Sequence, residues 1–335
     1  MTDSQLSGTA DLRCAVLDDY QGAALVSADW SPLGDRVRVR VLREHFTDRD
    51  ALVRAIEDCE IAVVMRERTP FDADLLARLP RLRLLVTSGM RNASIDLAAA
   101  ASRGITVCGT GSSPEPPTEL TWALILGLAR RLNVESQALR DGGPWQSTVG
   151  MDLNGRTLGL IGLGKIGSRM ARIGRAFGMD VLAWSPHLTP RRAEEYGARP
   201  AADKHDLLER SDIVSLHIVL SERTRGLIAE PELRAMRSTA YLVNTSRAGL
   251  VDRAALLRAL REEWIAGAGL DVFDDEPLPT DDPLRSLPNV LATPHLGYVT
   301  ESNYATYFGQ AVEDIVAFLD GSPIRTLGGN PAGSS

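Results

Sequence analysis

The run TLGLIGLGKIGSRMARIGRAFGMDVLAW, residues 157–184, constrains the fold more than any other stretch of the chain. An apolar strand-like segment leads through Gly162, Gly164 and Gly167 into an amphipathic helical pattern, and then into a second apolar segment. In that context G-x-G-x-x-G marks a dinucleotide-binding unit. The first glycine permits a tight turn, the second lets backbone approach a pyrophosphate, and the third lets the helix lie close to the strand. The helix N-terminus then offers N–H groups and partial positive charge to the phosphates.

The same alternation runs along the chain. LRCAVL, VRVRVL, IAVVM, RLLVT and ITVCG are candidate strands before residue 110, each followed by a polar or amphipathic stretch. A longer helical pattern extends from about Glu115 to Arg140, with Pro116 and Pro117 near its start, where proline is tolerated. TLGLIG, MDVLAW, DIVSLHIV, TAYLVN, IAGAGLDV and VLATPH resume the alternation, and SNYATYFGQAVEDIVAFL closes it with helical periodicity. Two parallel α/β sheets are expected.

At 335 residues the chain is long enough for two buried cores, and its 44% hydrophobic content holds no run of membrane-spanning length. MTDSQLSGTAD lacks the basic start and apolar stretch of a secretion signal, so a cytoplasmic location is expected. The tail GGNPAGSS is expected to be disordered. A net charge of −7 argues against a general nucleic-acid surface. Cys14, Cys59 and Cys108 lack metal-ligand spacing and read as structural thiols, so no metal is expected.

The second apolar segment ends at Ser185, near the position where an Asp or Glu normally holds the ribose 2′-hydroxyl of NAD. Serine hydrogen-bonds a hydroxyl but does not repel a 2′-phosphate by charge. His187, Arg191 and Arg192 follow; toward the cofactor they favour NADP, and on a solvent-facing helix they do nothing. The choice between NAD and NADP stays open.

Three downstream segments carry the parts of a reaction. VNTSRAGLVD places Arg247 past one apolar run, LDVFDDEPLP places Asp271 and Glu276 past the next, and ATPHLGY places His295 past a third. Ligands of doubly wound sheets bind at the carboxyl ends of strands, where these side chains can converge. Taken singly, the arginine also suits a turn, the acids a solvated loop and the histidine a buried position. Taken together they suit hydride transfer to a 2-keto acid. Arg247 forks a carboxylate and polarises the adjacent carbonyl, His295 protonates its oxygen, and Glu276 holds the histidine charged. His217, inside an apolar run, reads as structural or as a cofactor neighbour, whereas His45 and His205, among charged residues, read as surface positions.

In this combination and order, GLGKIG, LHIVLSERTRGLI, VNTSRAGLVD, LDVFDDEPLP and TPHLG resemble the D-isomer-specific 2-hydroxyacid dehydrogenases over nearly the whole chain. The resemblance implies two doubly wound parallel-sheet domains: a Rossmann cofactor domain, residues 110–298, inserted in a flavodoxin-like substrate domain of residues 1–109 and 299–335. It implies a D-specific dehydrogenase with Arg247, Glu276 and His295 as the catalytic set. Lys165 and Ile166 would lie over the pyrophosphate, Thr224, Thr245 and Ser246 would line the cofactor site with His217, and Asp271 would bind the nicotinamide carboxamide. A homodimer through the cofactor domain, using residues 118–145, is the family's usual assembly.

The chain also departs from that pattern. GMRNASID, residues 89–96, replaces the glycine-rich turn whose N–H groups hold the substrate carboxylate, which puts Arg91 in place of a glycine. Met90, Arg91 and Asn92 are expected to bind substrate, with Arg91 reaching a second polar or anionic group. Tyr298 stands where a small residue is common and is expected at the pocket; Arg66 and Arg68 follow a strand end and line the pocket or lie at the surface. Glu276 argues against a formate dehydrogenase, which carries glutamine there. The rival reading is a corepressor-like module that binds protein partners in response to NAD(H), with little turnover.

Overall fold

Runs of valine, leucine and isoleucine buried on both faces are what a parallel sheet covered by helices requires, and the computed structural model, which describes residues 12–328, contains two such sheets. The readings of the first eleven residues and of the tail from residue 329 lie outside the described residues. The chain divides into two compact units, residues 12–113 with 300–328 and residues 114–299.

In the first unit β1 (Leu12–Val16), β2 (Val37–Val41), β3 (Ile61–Val64), β4 (Leu84–Thr87) and β5 (Thr106–Gly109) pair in the order β2-β1-β3-β4-β5, all parallel. This is the flavodoxin-like doubly wound order, with its switch point between β1 and β3. Ala15, Val64 and Leu85 bury one face of the sheet against Ile56, Phe71 and Leu75. The helix Glu301–Leu319, capped at its start by Thr300, packs against β4.

The second unit holds β6 (Thr157–Ile161), β7 (Asp180–Trp184), β8 (Arg199–Pro200), β9 (Ile213–Leu216), β10 (Tyr241–Asn244), β11 (Gly267–Leu270) and β12 (Val290–Ala292). Their order is β12-β11-β10-β9-β6-β7-β8, parallel throughout, so the switch point lies between β6 and β9. Neighbouring residues of β6 face opposite cores: Leu158 and Leu160 pack with Trp122, Leu124 and Met170, whereas Ile161 packs with Leu207, Leu208 and Leu256. Strand β8 was not among the apolar runs. It is a short exposed edge, where proline does not interrupt a ladder on both sides.

The single helical pattern expected from Glu115 to Arg140 is in fact two helices, Glu115–Ala129 and Leu132–Arg140. Arg131 between them is left-handed, with φ of 50°. Burial explains the break. The first helix buries Trp122, Leu124, Ile125 and Leu128 over the sheet, while the second buries none of its residues, so no continuous apolar stripe holds one rod. Cys14, Cys59 and Cys108 are buried free thiols. Among the described residues no helix is long and apolar enough to cross a membrane, and no cluster of His, Cys, Asp and Glu has the makings of a metal site.

Candidate active site

The three glycines of GLGKIG carry different demands. Gly162 has φ of +103°, and a Cβ there would lie 2.4 Å from the His217 carbonyl oxygen. A Cβ on Gly167 would lie 2.1 Å from the Gly162 carbonyl oxygen, so this glycine lets the helix Lys165–Ala176 sit on its strand. Gly164 differs: a Cβ there meets no atom within 4 Å, and the helix that starts beside it has no side-chain cap. Open space before an uncapped helix N-terminus fits the pyrophosphate of a dinucleotide. Lys165 is exposed beside this space and Ile166 is half-buried.

The ends of β7 and β9 flank that turn. Ser185 follows β7 half-exposed, and His187, Arg191 and Arg192 are exposed beyond it. The His217 ring nitrogen Nε2 lies 2.8 Å from Ser215 Oγ, and burial pushes the His217 pKa down to about 4, so the ring is neutral at physiological pH. Its Nδ1 is buried without a protein partner among the described residues. A buried, unpartnered ring nitrogen next to the glycine turn is a further feature that fits a bound cofactor. Thr224 donates its hydroxyl to Val219 O within its own turn. Ser246 Oγ donates to Leu216 O, and the Thr245 and Thr121 hydroxyls are 2.8 Å apart, so the residues expected at the cofactor site also tie β9, β10 and the helix Glu115–Ala129 together.

Arg247 leaves β10 half-buried, in a loop held by a residue that sequence reasoning did not single out. Asn244 is buried, and its side chain donates to Arg247 O at 2.9 Å and accepts from Ser246 N at 3.0 Å. The signal for it was present: an asparagine ending an apolar strand before a turn commonly bonds the backbone that follows.

His295 and Glu276 meet directly, with Nδ1 and Oε2 2.6 Å apart and their side chains 16% and 25% exposed. Phe273 N donates to the other Glu276 oxygen and holds that carboxylate in place. His295 itself adopts φ of 53°, an unfavourable conformation for a residue with a Cβ, and such outliers cluster at functional sites. Asp271 holds it there. This carboxylate is fully buried and accepts from Thr293 Oγ1, Leu296 N and Gly297 N at 2.6–2.8 Å, which fastens the chain on both sides of the histidine. Burial raises the Asp271 pKa, against the opposing pull of these hydrogen bonds and of the His295 charge. The Tyr298 ring, almost wholly buried, stands edge-on to His295 with centroids 5.3 Å apart.

In the first unit the turn after β4 begins at Gly89, with φ of +89°. Met90 and Arg91 expose their side chains. Asn92 is buried instead: its amide donates to Arg66 O and Thr87 Oγ1 and accepts from Ser94 N, so it shapes the turn. His45 is not a surface position. Its side chain is 13% exposed and its Nδ1 lies 2.9 Å from an Asp18 oxygen, because the Asp18 carboxylate at the end of β1 draws it inward. His205 is 63% exposed, as expected.

These features have close counterparts in known proteins. Residues 122–297 match the model of the D-isomer specific 2-hydroxyacid dehydrogenase NAD-binding domain. The chain is 42% identical to a glyoxylate reductase of Aeropyrum pernix, over 75% of this chain and 77% of that protein. It is 36% identical to a D-3-phosphoglycerate dehydrogenase of Methanocaldococcus jannaschii, over 76% of this chain and 48% of that longer protein. The crystal structure of a phosphoglycerate oxidoreductase from Vibrio cholerae superposes with a TM-score of 0.88 at 38% identity, covering 93% of this chain and all of that one. With its dinucleotide fingerprint, its two doubly wound sheets and these relatives, the chain belongs to the D-isomer-specific 2-hydroxyacid dehydrogenase family.

Proposed function

We propose that the chain is an oxidoreductase that interconverts a small 2-keto acid and its D-2-hydroxy acid, using a nicotinamide cofactor. The observation that carries the reading is the 2.6 Å contact between His295 Nδ1 and Glu276 Oε2 on a backbone held in place by Asp271. Pairing with a carboxylate assigns the Nδ1 proton to that bond, leaves Nε2 to face substrate, and compensates the charge of the imidazolium.

The nicotinamide, when bound, supplies or accepts the hydride. Gly162, Gly164, Lys165, Ile166 and Gly167 would hold the pyrophosphate of the dinucleotide, Ser185 would hold its ribose, and His217, Thr224, Thr245, Ser246 and Asp271 would line the rest of its site. Arg247 binds the substrate carboxylate in a fork and draws electron density from the neighbouring carbonyl. As the carbonyl carbon gains hydride, the carbonyl oxygen takes the proton from His295 Nε2; in oxidation the neutral ring takes it back from the hydroxyl. Tyr298 stands beside His295 on the substrate side; in the first unit Met90 and Arg91 are offered to substrate on the turn that Asn92 shapes.

The end of β7 accepts NADPH as well as NADH, because Ser185 offers a hydroxyl without the charge that would repel a 2′-phosphate, and Arg191 and Arg192 are exposed nearby. The assembly we propose is a homodimer through residues 118–145, a segment whose Leu132, Leu139 and Trp145 are 55%, 64% and 82% exposed in the single chain. The test is the initial rate of NADH and NADPH oxidation with glyoxylate, pyruvate and hydroxypyruvate, with the product resolved by chiral chromatography. Turnover to the D-hydroxy acid is expected. Nucleotide binding without turnover would favour a binding module instead.

A further inference from the structure

The turn that carries Met90 and Arg91 leaves β4 through Ser88 and Gly89, and the neighbouring strand β5 holds it. The ladder between these strands runs one bond past their ends, from Thr110 N to Thr87 O at 3.1 Å. There a side chain replaces the backbone partner: Gly89 N donates to Thr110 Oγ1 at 3.0 Å, and both residues are buried. Thr110 directs its own hydroxyl proton to Gly111 O at 3.2 Å, which leaves a lone pair for Gly89. Gly109 completes the seat. A Cβ there would lie 2.7 Å from Gly89 O and 3.2 Å from Met90 Cα, so the turn rests directly on the backbone of β5.

The end of β5 is itself held from its other side. Residues 325–327 lie antiparallel to it, with Gly109 N donating to Arg325 O at 3.0 Å and Leu327 N to Val107 O at 2.7 Å. Arg325 is left-handed, with φ of 50°, and its guanidinium nitrogens meet Asp314 Oδ1 at 3.0 Å, Glu313 Oε2 at 2.9 Å and Gln310 O at 2.9 Å. Because Asp314 is wholly buried, solvent screens its contact with Arg325 little. Gln310 Oε1 also accepts from Gly111 N at 2.6 Å, which fastens the residue after Thr110 to the same helix, Glu301–Leu319. An arginine fixed at three points, a strand end and a buried hydroxyl thus form one contiguous path to the turn. We infer that Thr110 and, through β5, Arg325 are positioning residues that set how the turn at residues 89–92 is presented to the keto acid, an inference that rests on the proposed reaction and on the part given there to Met90 and Arg91.

The test measures KM and kcat for whichever of glyoxylate, pyruvate and hydroxypyruvate the wild type reduces fastest, with NADH affinity and Tm on the same preparations. The variants are Thr110→Ser, Thr110→Val, Arg325→Met and, as a control, Ile315→Val. Serine keeps the acceptor for Gly89 N and should leave KM at its wild-type value. Thr110→Val and Arg325→Met should each raise KM by about 2- to 30-fold, the span that substitutions along a packed network give, with kcat and NADH affinity close to wild type. Ile315 is wholly buried on the helix Glu301–Leu319 and takes no part in these hydrogen bonds, so Ile315→Val should lower Tm and leave KM unchanged. If Thr110→Val does not fold, Arg325→Met set against Ile315→Val carries the test. An unchanged KM in Thr110→Val and Arg325→Met, or an equal rise in Thr110→Ser or Ile315→Val, overturns the positioning alone. No turnover of any of the three acids by the wild type removes the oxidoreductase reading with it.

Discussion

Replacing the glycines of GLGKIG one at a time should separate folding from cofactor binding. In Gly167→Ala the new methyl would lie 2.1 Å from the Gly162 carbonyl oxygen, about 1 Å inside the closest approach that real Cβ atoms make. Both partners belong to the backbone, so no rotamer change relieves the contact, and the helix must move off its strand. Overpacking of this kind costs ~1–3 kcal/mol, which lowers Tm by roughly 3–10 °C for a unit of this size. Gly164→Ala meets no atom within 4 Å and keeps an extended backbone with φ of −87°, so its stability should stay within ~0.5 kcal/mol of wild type. Its methyl nevertheless fills the space where the pyrophosphate would approach, and NADH affinity should fall by about tenfold or more, the equivalent of ~1.4 kcal/mol. Thermal unfolding read beside an NADH fluorescence titration distinguishes the two effects. A Gly164→Ala variant that binds NADH like wild type, or a Gly167→Ala variant that melts with wild type, would refute the assignment of this loop.

Three further outcomes follow from the same geometry. Glu276→Gln should lower kcat for keto-acid reduction by roughly 10- to 100-fold while leaving NADH affinity unchanged, since the carboxylate that holds His295 Nδ1 is lost; an unchanged kcat would count against the pair. Asp271→Asn can keep its oxygen on Thr293 Oγ1 and Leu296 N but then turns its amide hydrogens on Gly297 N, which should cost ~1–3 kcal/mol and reduce kcat more than it changes KM, because the turn carrying His295 loosens; stability measured by denaturant titration checks the first part and steady-state kinetics the second. His217 has its folded pKa lowered from 6.5 to about 4, so its contribution to stability is fully present above pH 6.5 and is lost as pH falls through about 4. A His217→Gln variant should therefore lose less stability than wild type between those limits, and parallel loss in the two proteins would contradict the burial of a neutral ring.

What was legible in the sequence is what local pattern encodes. Valine- and leucine-rich runs between glycines announce buried parallel strands, and GLGKIG between two of them announces the cofactor turn, because both depend on neighbours a few positions away. The order of Arg247, Glu276 and His295 past successive strands was readable for the same reason. The pairing of Glu276 with His295 was read with it, but the contacts that set the surrounding backbone were not. The inward turn of His45 depends on Asp18, 27 positions away, and the left-handed backbone of His295 depends on Asp271, 24 positions away, so neither leaves a local trace. The break at Arg131 was equally hidden, since helix propensity continues through it and only the loss of buried contacts ends the first helix. Strand β8 carries an Arg-Pro pair that no periodicity would select; it exists because β7 has an open edge.

The most direct test of the central claim is the rate of NADH oxidation by hydroxypyruvate in the wild type and in His295→Gln, with NADH affinity measured on the same preparations. If His295 delivers the proton, the variant keeps its nucleotide affinity and loses roughly 100-fold or more in kcat. A variant that reduces the keto acid as fast as wild type would place the acid–base group elsewhere and contradict the account.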